Sequence, residues 1–392
     1  MTLSNDMPLS LYLHIPFCTT KCSYCAFNTY TSLEHLIPAF VDALCREIAL
    51  VGEANPHPYV HTIFFGGGTP SLLRPEDFDR ILAQIRANFH LTPDAEISIE
   101  ANPNDLNVPY LTALRAVGVN RLSIGMQSAN PHELELFTRR HDVQAVKDAV
   151  EAARASGFDN LNLDLIYGIP NQTLDDWGRT LDFAIALQPE HLSLYALGLE
   201  PGTSMLAWVE SGKLPEPDDD RAADMYDMAT ERLGSAGYEQ YEISNWARPG
   251  RECRHNLQYW RNLPYLGLGP GAHGYAGDTR YSVMLSPQRY IKALSAQTLE
   301  KAVFPLTPAV AESTPVDQEN EIAETLIMGL RLIREGIPRS AFVARFGVDV
   351  VDLHQKTLRR FADNDLLRIE PDVVRLTPRG RLLSNMIFRE LV

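Results

Sequence analysis

The stretch Leu9-Ser-Leu-Tyr-Leu-His-Ile-Pro-Phe-Cys-Thr-Thr-Lys-Cys-Ser-Tyr-Cys25 runs an apolar segment of strand length straight into three cysteines. The gaps between Cys18, Cys22 and Cys25 let one short loop hold three thiolates on a metal centre while leaving that centre a free coordination position. Zinc, completed by His14 or a remote ligand, is the competing occupant, although zinc sites more often use shorter paired spacings. The apolar segment is also the first of six: similar ones recur at 9–15, 61–65, 96–100, 121–124, 161–166 and 192–197. Helical patterns follow them at 36–50, 75–87, 110–117, 143–155, 174–187 and 219–233. Six strand-then-helix units predict a mostly parallel sheet.

Polar and glycine residues gather just beyond these strands: the cysteines after the first, Gly66 to Thr69 after the second, Glu100 to Asn102, Gln127, Asp164 to Gly168, and Tyr195 late in the sixth. That distribution predicts an α/β fold with a partial (β/α)6, TIM-like barrel whose working face is the C-terminal end of its strands. A doubly wound sheet, the alternative, would concentrate its ligand at one switch crevice. Residues 238–246 read as a returning edge strand. Residues 249–275, rich in Gly, Pro, Asn and aromatics, read as a broken loop on the rim. From about Asp317 the pattern changes to helices at 321–333, 342–346 and 353–364, a hairpin at 366–376 and a last helix at 378–388, a smaller winged-helix-like module. The resulting division is 1–245, 246–316 and 317–392.

Of the 392 residues, 45% are hydrophobic and 22% charged, the balance of an ordinary soluble protein with a large core. A formal charge of -15 disfavours nucleic acid and anionic membranes as partners. The winged shape does not change that, because Glu335, Asp349, Asp352, Asp363, Asp365 and Glu370 lie in it; protein contact or a lid suits it better. Five cysteines, three of them clustered, indicate a reducing compartment. No export signal or membrane span is legible. A cytoplasmic protein is expected, with peripheral attachment at the inner face of the membrane left open.

His61-Thr-Ile-Phe-Phe-Gly-Gly-Gly-Thr-Pro70 places glycines at a strand exit, where exposed amides could meet the polar end of a small ligand. It is neither a phosphate loop nor a dinucleotide fingerprint. Phe17, Tyr24, Phe27 and Phe64 are candidates to line the same pocket, or simply core.

The C-x3-C-x2-C motif with Tyr24 before its last cysteine resembles that of the radical S-adenosylmethionine superfamily, and Gly67-Gly68-Thr69-Pro70 resembles its methionine-binding segment. The resemblance implies a radical SAM barrel and a [4Fe-4S] cluster on Cys18, Cys22 and Cys25. S-adenosyl-L-methionine would chelate the open iron, and a reducing electron donor would drive its cleavage to methionine and a 5'-deoxyadenosyl radical. Ile97 to Pro103, Asn120 to Ser128, Arg139-Arg-His141 and Asn162 to Pro170 resemble the branch containing oxygen-independent coproporphyrinogen III oxidase. By that similarity Tyr12, Gly67, Gly68, Thr69, Glu100, Gln127, Arg139 and Asp164 belong to the S-adenosylmethionine pocket, with Arg139 suited to the methionine carboxylate and Glu100 or Asp164 to ribose hydroxyls.

Two features are closer to HemW-type haem chaperones than to the oxidase. Where the oxidase pattern has a further cysteine, this chain has Phe27; and Arg254-His-Asn-Leu-Gln-Tyr-Trp260 is similar to the HNxxYW signature of the chaperones. That similarity implies haem as cargo, with His255 as a candidate iron ligand, and delivery to a respiratory haem-acceptor apoprotein that can itself be membrane-associated. Radical decarboxylation of coproporphyrinogen III is the competing activity, and a metal-binding scaffold the third. Cys45 reads as a buried structural thiol, while Cys253 stands beside the haem-like segment.

Overall fold

The computed structural model describes residues 9–55, 58–295 and 302–391; the N-terminal residues on which the export-signal reading bears lie mostly outside this range. Six parallel strands, β1 (Leu9–Ile15), β2 (Tyr59–Gly67), β3 (His90–Ala101), β4 (Arg121–Gln127), β5 (Leu161–Tyr167) and β6 (His191–Ala196), lie side by side in chain order. The predicted helices return between them, at Ile37–Ala54, Pro75–Asn88, Val108–Val117, Val143–Ala155 and Leu174–Ala186, with Asp219–Ser235 following β6. Local signals set their ends. Asp142 accepts from Ala145 N at 2.8 Å, Thr173 and Asp176 form a reciprocal capping box, and Gly118 closes its helix in the left-handed region.

Alternation along the strands assigns the two faces of the sheet. Leu9, Leu11, Leu13 and Ile15 join Leu161, Leu163, Leu165, Leu192 and Leu194 in the core under the helices. The intervening positions carry Ser10, Tyr12, His14, Thr62, Ser98, Glu100, Ser123, Asn162, Asp164, His191 and Ser193, so the concave face is polar.

The sheet does not end with six strands. Beyond β6 it continues antiparallel through a hairpin of β7 (Glu239–Glu242) and β8 (Asn245–Ala247), where a single edge strand was expected. On the other side β9 (Tyr265–Leu268) pairs parallel with β1, and β10 (His273–Ala276), β11 (Thr279–Val283) and β12 (Val310–Pro315) extend it antiparallel. The region read as a broken loop therefore contains a helix, Arg254–Trp260, and two sheet strands. Its glycines serve close approach: a Cβ on Gly267 would stand 1.8 Å from the His273 carbonyl oxygen. The helix lies against the polar face, where Glu96 of β3 accepts from the amides of Arg254 and His255 at 3.1 Å each.

The C-terminal residues form a module with their own core around Leu326, Phe342, Phe346, Leu358 and Phe361. Its three short strands, β13 (Ile337–Pro338), β14 (Leu367–Ile369) and β15 (Val373–Leu376), order as β13-β15-β14 beside the helices Gln318–Arg331, Arg339–Phe346 and Gln355–Asp363. The expected last helix is two short ones, Pro378–Leu382 and Ser384–Phe388. Several acids of the module are paired rather than free, Asp349 with Arg339, Glu370 with Arg375 and Glu335 with Arg261.

Gly267→Ala should destabilise the protein by about 1–3 kcal/mol or more through overpacking. Gly234→Ala, inside a helix with no atom within 4 Å of the added Cβ, should be neutral or slightly stabilising. Parallel thermal denaturation of the two variants checks this contrast.

Candidate cofactor site at the strand ends

The cysteine loop is pinned before any ligand is considered. Cys18 N donates to Tyr30 O at 2.9 Å, Ser23 N to Phe137 O at 3.2 Å and Met205 N to Ser23 O at 2.8 Å; the Ser23 hydroxyl adds a bond to Leu136 O at 2.7 Å. Tyr24 packs edge-on against Phe137 at 4.9 Å. Two side chains reach the sulfurs: Thr69 Oγ1 lies 3.4 Å from Cys18 Sγ and Arg139 Nη1 3.4 Å from Cys22 Sγ. Burial pushes the Cys18 and Cys25 thiols up, a shift that a bound cation would oppose.

A cavity of about 580 Å³ opens over this loop. Cys18, Cys22 and Cys25 line it together with Gly67, Gly68, Thr69, Glu100, Gln127, Arg139 and Asp164, as do Tyr24 and Phe27. Phe17 instead packs in the core against Phe40, and Phe64 stacks between Tyr12 and His255.

The glycine segment works differently from the sequence expectation. Gly67 N donates to Glu100 Oε2 at 3.0 Å, Gly68 N to Ile15 O and Thr69 N to Phe17 O at 2.8 Å, so these amides are spent within the protein. Gly67 is needed for its positive φ of 108° and because a Cβ would stand 2.5 Å from the His14 ring. Arg139 is similarly committed: besides Cys22 it donates to Gly125 O at 2.8 Å, and its buried Nε has no partner. Its remaining N–H groups, the Nε–H among them, are still free of these two acceptors and could meet a carboxylate.

Two carboxylates share the wall. Burial, reinforced by neighbouring Asp164, pushes Glu100 up to about 7. Asp164 is also raised by burial, against the hydrogen bonds it accepts. Ser123 Oγ donates to Asp164 Oδ2 at 3.0 Å and Asn162 Nδ2 to Asp164 Oδ1 at 2.8 Å. Behind them His191 Nδ1 lies 2.6 Å from Asn162 Oδ1, and His191 Nε2 2.8 Å from the Tyr241 hydroxyl. Burial lowers the His191 pKa, which keeps the imidazole neutral, able to donate to Asn162 and accept from Tyr241. Sequence reasoning missed this chain, although the alternation Asn162, Asp164 and His191, Ser193 was its visible trace.

Tyr12 and His255 are not on the cavity lining. The Tyr12 hydroxyl bonds His14 Nδ1 at 3.0 Å beside Phe64. His255 is buried, its Nδ1 2.7 Å from Thr62 Oγ1 and its Nε2 2.8 Å from the Tyr259 hydroxyl, and burial pushes its pKa down to about 3. In this arrangement both ring nitrogens are taken. Cys253 is fully buried beside Glu96, and burial pushes its thiol up to about 12.

Residues 12–184 match the Radical SAM superfamily and residues 316–383 the HemN C-terminal domain. The chain is 42% identical to the heme chaperone HemW of Mycobacterium tuberculosis over 388 residues, 98% of this chain and 95% of that protein. It is 36% identical to the heme chaperone HemW of Bacillus subtilis, covering 97% and 98% of the two chains. The chain belongs to the HemW family of the radical SAM superfamily. A solved structure of coproporphyrinogen III oxidase (HemN) from Escherichia coli, described as a radical SAM enzyme, superposes with a TM-score of 0.84 at 27% identity, over 99% of this chain and 91% of that one. The HemW relationship thus extends through the cavity and the C-terminal module alike, and the partial barrel and appended helical module expected from sequence are the observed fold.

Because Glu100 is raised from 4.5 to about 7, the folded protein retains a proton that the unfolded chain has lost between those values. Stability contributed by the protonated form is full below about 4.5 and is lost as pH rises to about 7, with a slope on the order of 1 kcal/mol per pH unit. Glu100→Gln should remove that slope. Denaturation of cluster-free protein should show the variant gaining on wild type from pH 5 to 7, with a constant gap above.

Proposed function

We propose that the cavity holds a [4Fe-4S] cluster on Cys18, Cys22 and Cys25 with S-adenosylmethionine beside it, and that the protein carries haem and delivers it to a respiratory apoprotein. The supporting observation is the convergence, on one cavity, of residues from successive strand ends in a chain related over nearly its full length to heme chaperones. Its volume falls within the range of about 300–1,000 Å³ typical of small-molecule sites. The spread of the thiols also favours a cluster over zinc. A single zinc with bonds near ~2.3 Å draws its sulfurs to within about 4 Å of one another. Among the described residues, the only trio of candidate ligand atoms gathered within 4.8 Å lies elsewhere.

Such a cluster, when reduced, supplies one electron to the sulfonium of S-adenosylmethionine. The chain's residues prepare the place. Thr69 and Arg139 direct donors at the thiolate sulfurs, Glu100 and Asp164 offer acceptors to hydroxyl groups, and Tyr24 and Phe27 displace water near the loop. A haem-ligand role for His255 has a definite requirement, that the ring give up Thr62 or Tyr259 for iron. Haem on a more open surface would still gain from withdrawing its planar face from water. No helix among the described residues is long and apolar enough to cross a membrane, and contact with a membrane-associated acceptor would be peripheral.

Oxidase activity is the second reading, favoured by the overall superposition on the HemN enzyme. Against it stands Phe27, 66% exposed at the cavity where the oxidase pattern continues with a cysteine. Anaerobically reconstituted protein should bind stoichiometric haem, respond spectroscopically to S-adenosylmethionine and pass haem to an apo-cytochrome. Release of carbon dioxide from coproporphyrinogen III would overturn the chaperone reading in favour of the oxidase.

His255→Ala leaves Thr62 and Tyr259 each short of a partner, and should cost haem-free protein about 1–3 kcal/mol in urea denaturation. An iron-ligand role requires in addition a changed haem absorption spectrum in the variant.

A further inference from the structure

Behind the wall that carries Arg139, the short helix Pro131–Leu136 meets the first turn of the helix Leu174–Ala186. His132, Glu133 and Asp176 come together there, with one ligand atom from each lying within 4.8 Å of the others. Glu133 decides what this junction is for. Its side chain is 2% exposed, and Oε2 accepts from Ser128 Oγ at 2.5 Å and Asn130 Nδ2 at 3.1 Å. Its other oxygen, Oε1, is buried with no hydrogen-bond partner, 4.0 Å from His132 Nε2. A buried carboxylate oxygen beside a second carboxylate and without a donor is costly unless something positive meets it. Arg179 does not reach it: that guanidinium is engaged by Asp176 Oδ1 and Asn130 Oδ1.

We propose that His132, Glu133 and Asp176 form a divalent-cation site of zinc type, separate from the cysteine loop, with water completing the coordination. One imidazole nitrogen and two carboxylate oxygens are a donor set zinc accepts, and three protein ligands with an open fourth position are common for it. The required movement falls on the two freest groups: His132, 66% exposed on its side chain, swings inward, and Arg179, 59% exposed, releases Asp176 Oδ1, whereas Glu133 and Asp176 Oδ2 are held by Ser128, Asn130 and Thr173. Asp176 keeps its capping bonds through Oδ2, which accepts from Thr173 N at 3.0 Å.

The consequence is mechanical. The helix bearing His132 and Glu133 continues into Leu136 and Phe137, whose carbonyls hold Ser23 of the cysteine loop, and then into Arg139 beside Cys22. A cation at this junction staples that segment to the following helix and stiffens the back of the cysteine loop.

Two probes test the assignment in the full-length chain. Zn2+ is titrated calorimetrically into protein whose cysteine loop has been loaded with iron under anaerobic conditions, and Co2+ is followed by absorption in a chain with Cys18, Cys22 and Cys25 replaced by serine. Each should show one equivalent bound, and the cobalt spectrum should lack sulfur charge transfer. His132→Ala, a change on an exposed side chain, should weaken both by about tenfold or more. Glu133→Gln should do the same, while replacing exposed His35, remote in sequence, should have no effect. Absence of binding in both preparations, or affinity unchanged by His132→Ala, would overturn the proposal.

Discussion

The constraint on which this structure turns is the polar concave face of its six parallel strands. Parallel strands are ordinarily buried on both sides and read as continuous apolar runs. Here most of the alternate positions are polar, among them Ser10, Thr62, Ser98, Glu100, Ser123, Asn162, Asp164, His191 and Ser193, and buried polar groups need partners. The chain meets that demand in two ways. Low on the sheet it lays the helix Arg254–Trp260 against β2 and β3, where Glu96 caps the helix and Thr62 meets His255. At the C-terminal strand ends it leaves the polar groups facing a cavity.

This division explains why the glycine segment and the acidic pair belong to one piece of chemistry. β2 can run close to β1 only without side chains at 67 and 68, since a Cβ on Gly68 would stand 2.6 Å from Phe17 O. That proximity brings Gly67 N to Glu100 on the next strand, and Glu100 is then held facing Asp164. Close backbone packing thus places two carboxylates together in a partly desolvated pocket, and their mutual repulsion with burial shifts Glu100 toward neutrality.

Legibility in the sequence followed period and spacing. β1 appears at its expected residues, and so does the helix Val143–Ala155, because uninterrupted alternation or 3.6-residue periodicity carries its own boundaries. Cys18, Cys22 and Cys25 were legible because their spacing is short, and the residues expected around them reach the same cavity from strands far apart in sequence. The region after Pro249 was not legible. Gly267, Gly269, Gly271 and Gly274 look like loop punctuation, yet each is packed so closely that an added Cβ would stand 2.5 Å or less from a neighbouring atom. Nor could His255 be read correctly for its surroundings, since Thr62 and Tyr259 become its partners only through tertiary packing. The site at His132 was invisible for a related reason: Asp176 is forty-three positions beyond Glu133 and looks like a helix cap, which it also is.

The same polar face reaches the C-terminal module. From Asp164 at the cavity, hydrogen bonds run through Asn162 and His191 to Tyr241, whose carbonyl accepts from Ile333 N at 3.0 Å just after the module's first helix. The adjacent residue, Glu242, is fully buried and faces Arg331 at 3.5 Å, while the surrounding contacts, Arg261 with Glu335 and Arg334 with Glu239, are partly or largely exposed. Exposed pairs of this kind contribute little individually, whereas the contacts at Tyr241 and Glu242 are buried. Burial raises Glu242 despite Arg331, the mark of a charge only partly compensated. Tyr241 thus serves both sides: its hydroxyl meets His191 behind the cavity wall, and its carbonyl meets Ile333 of the module.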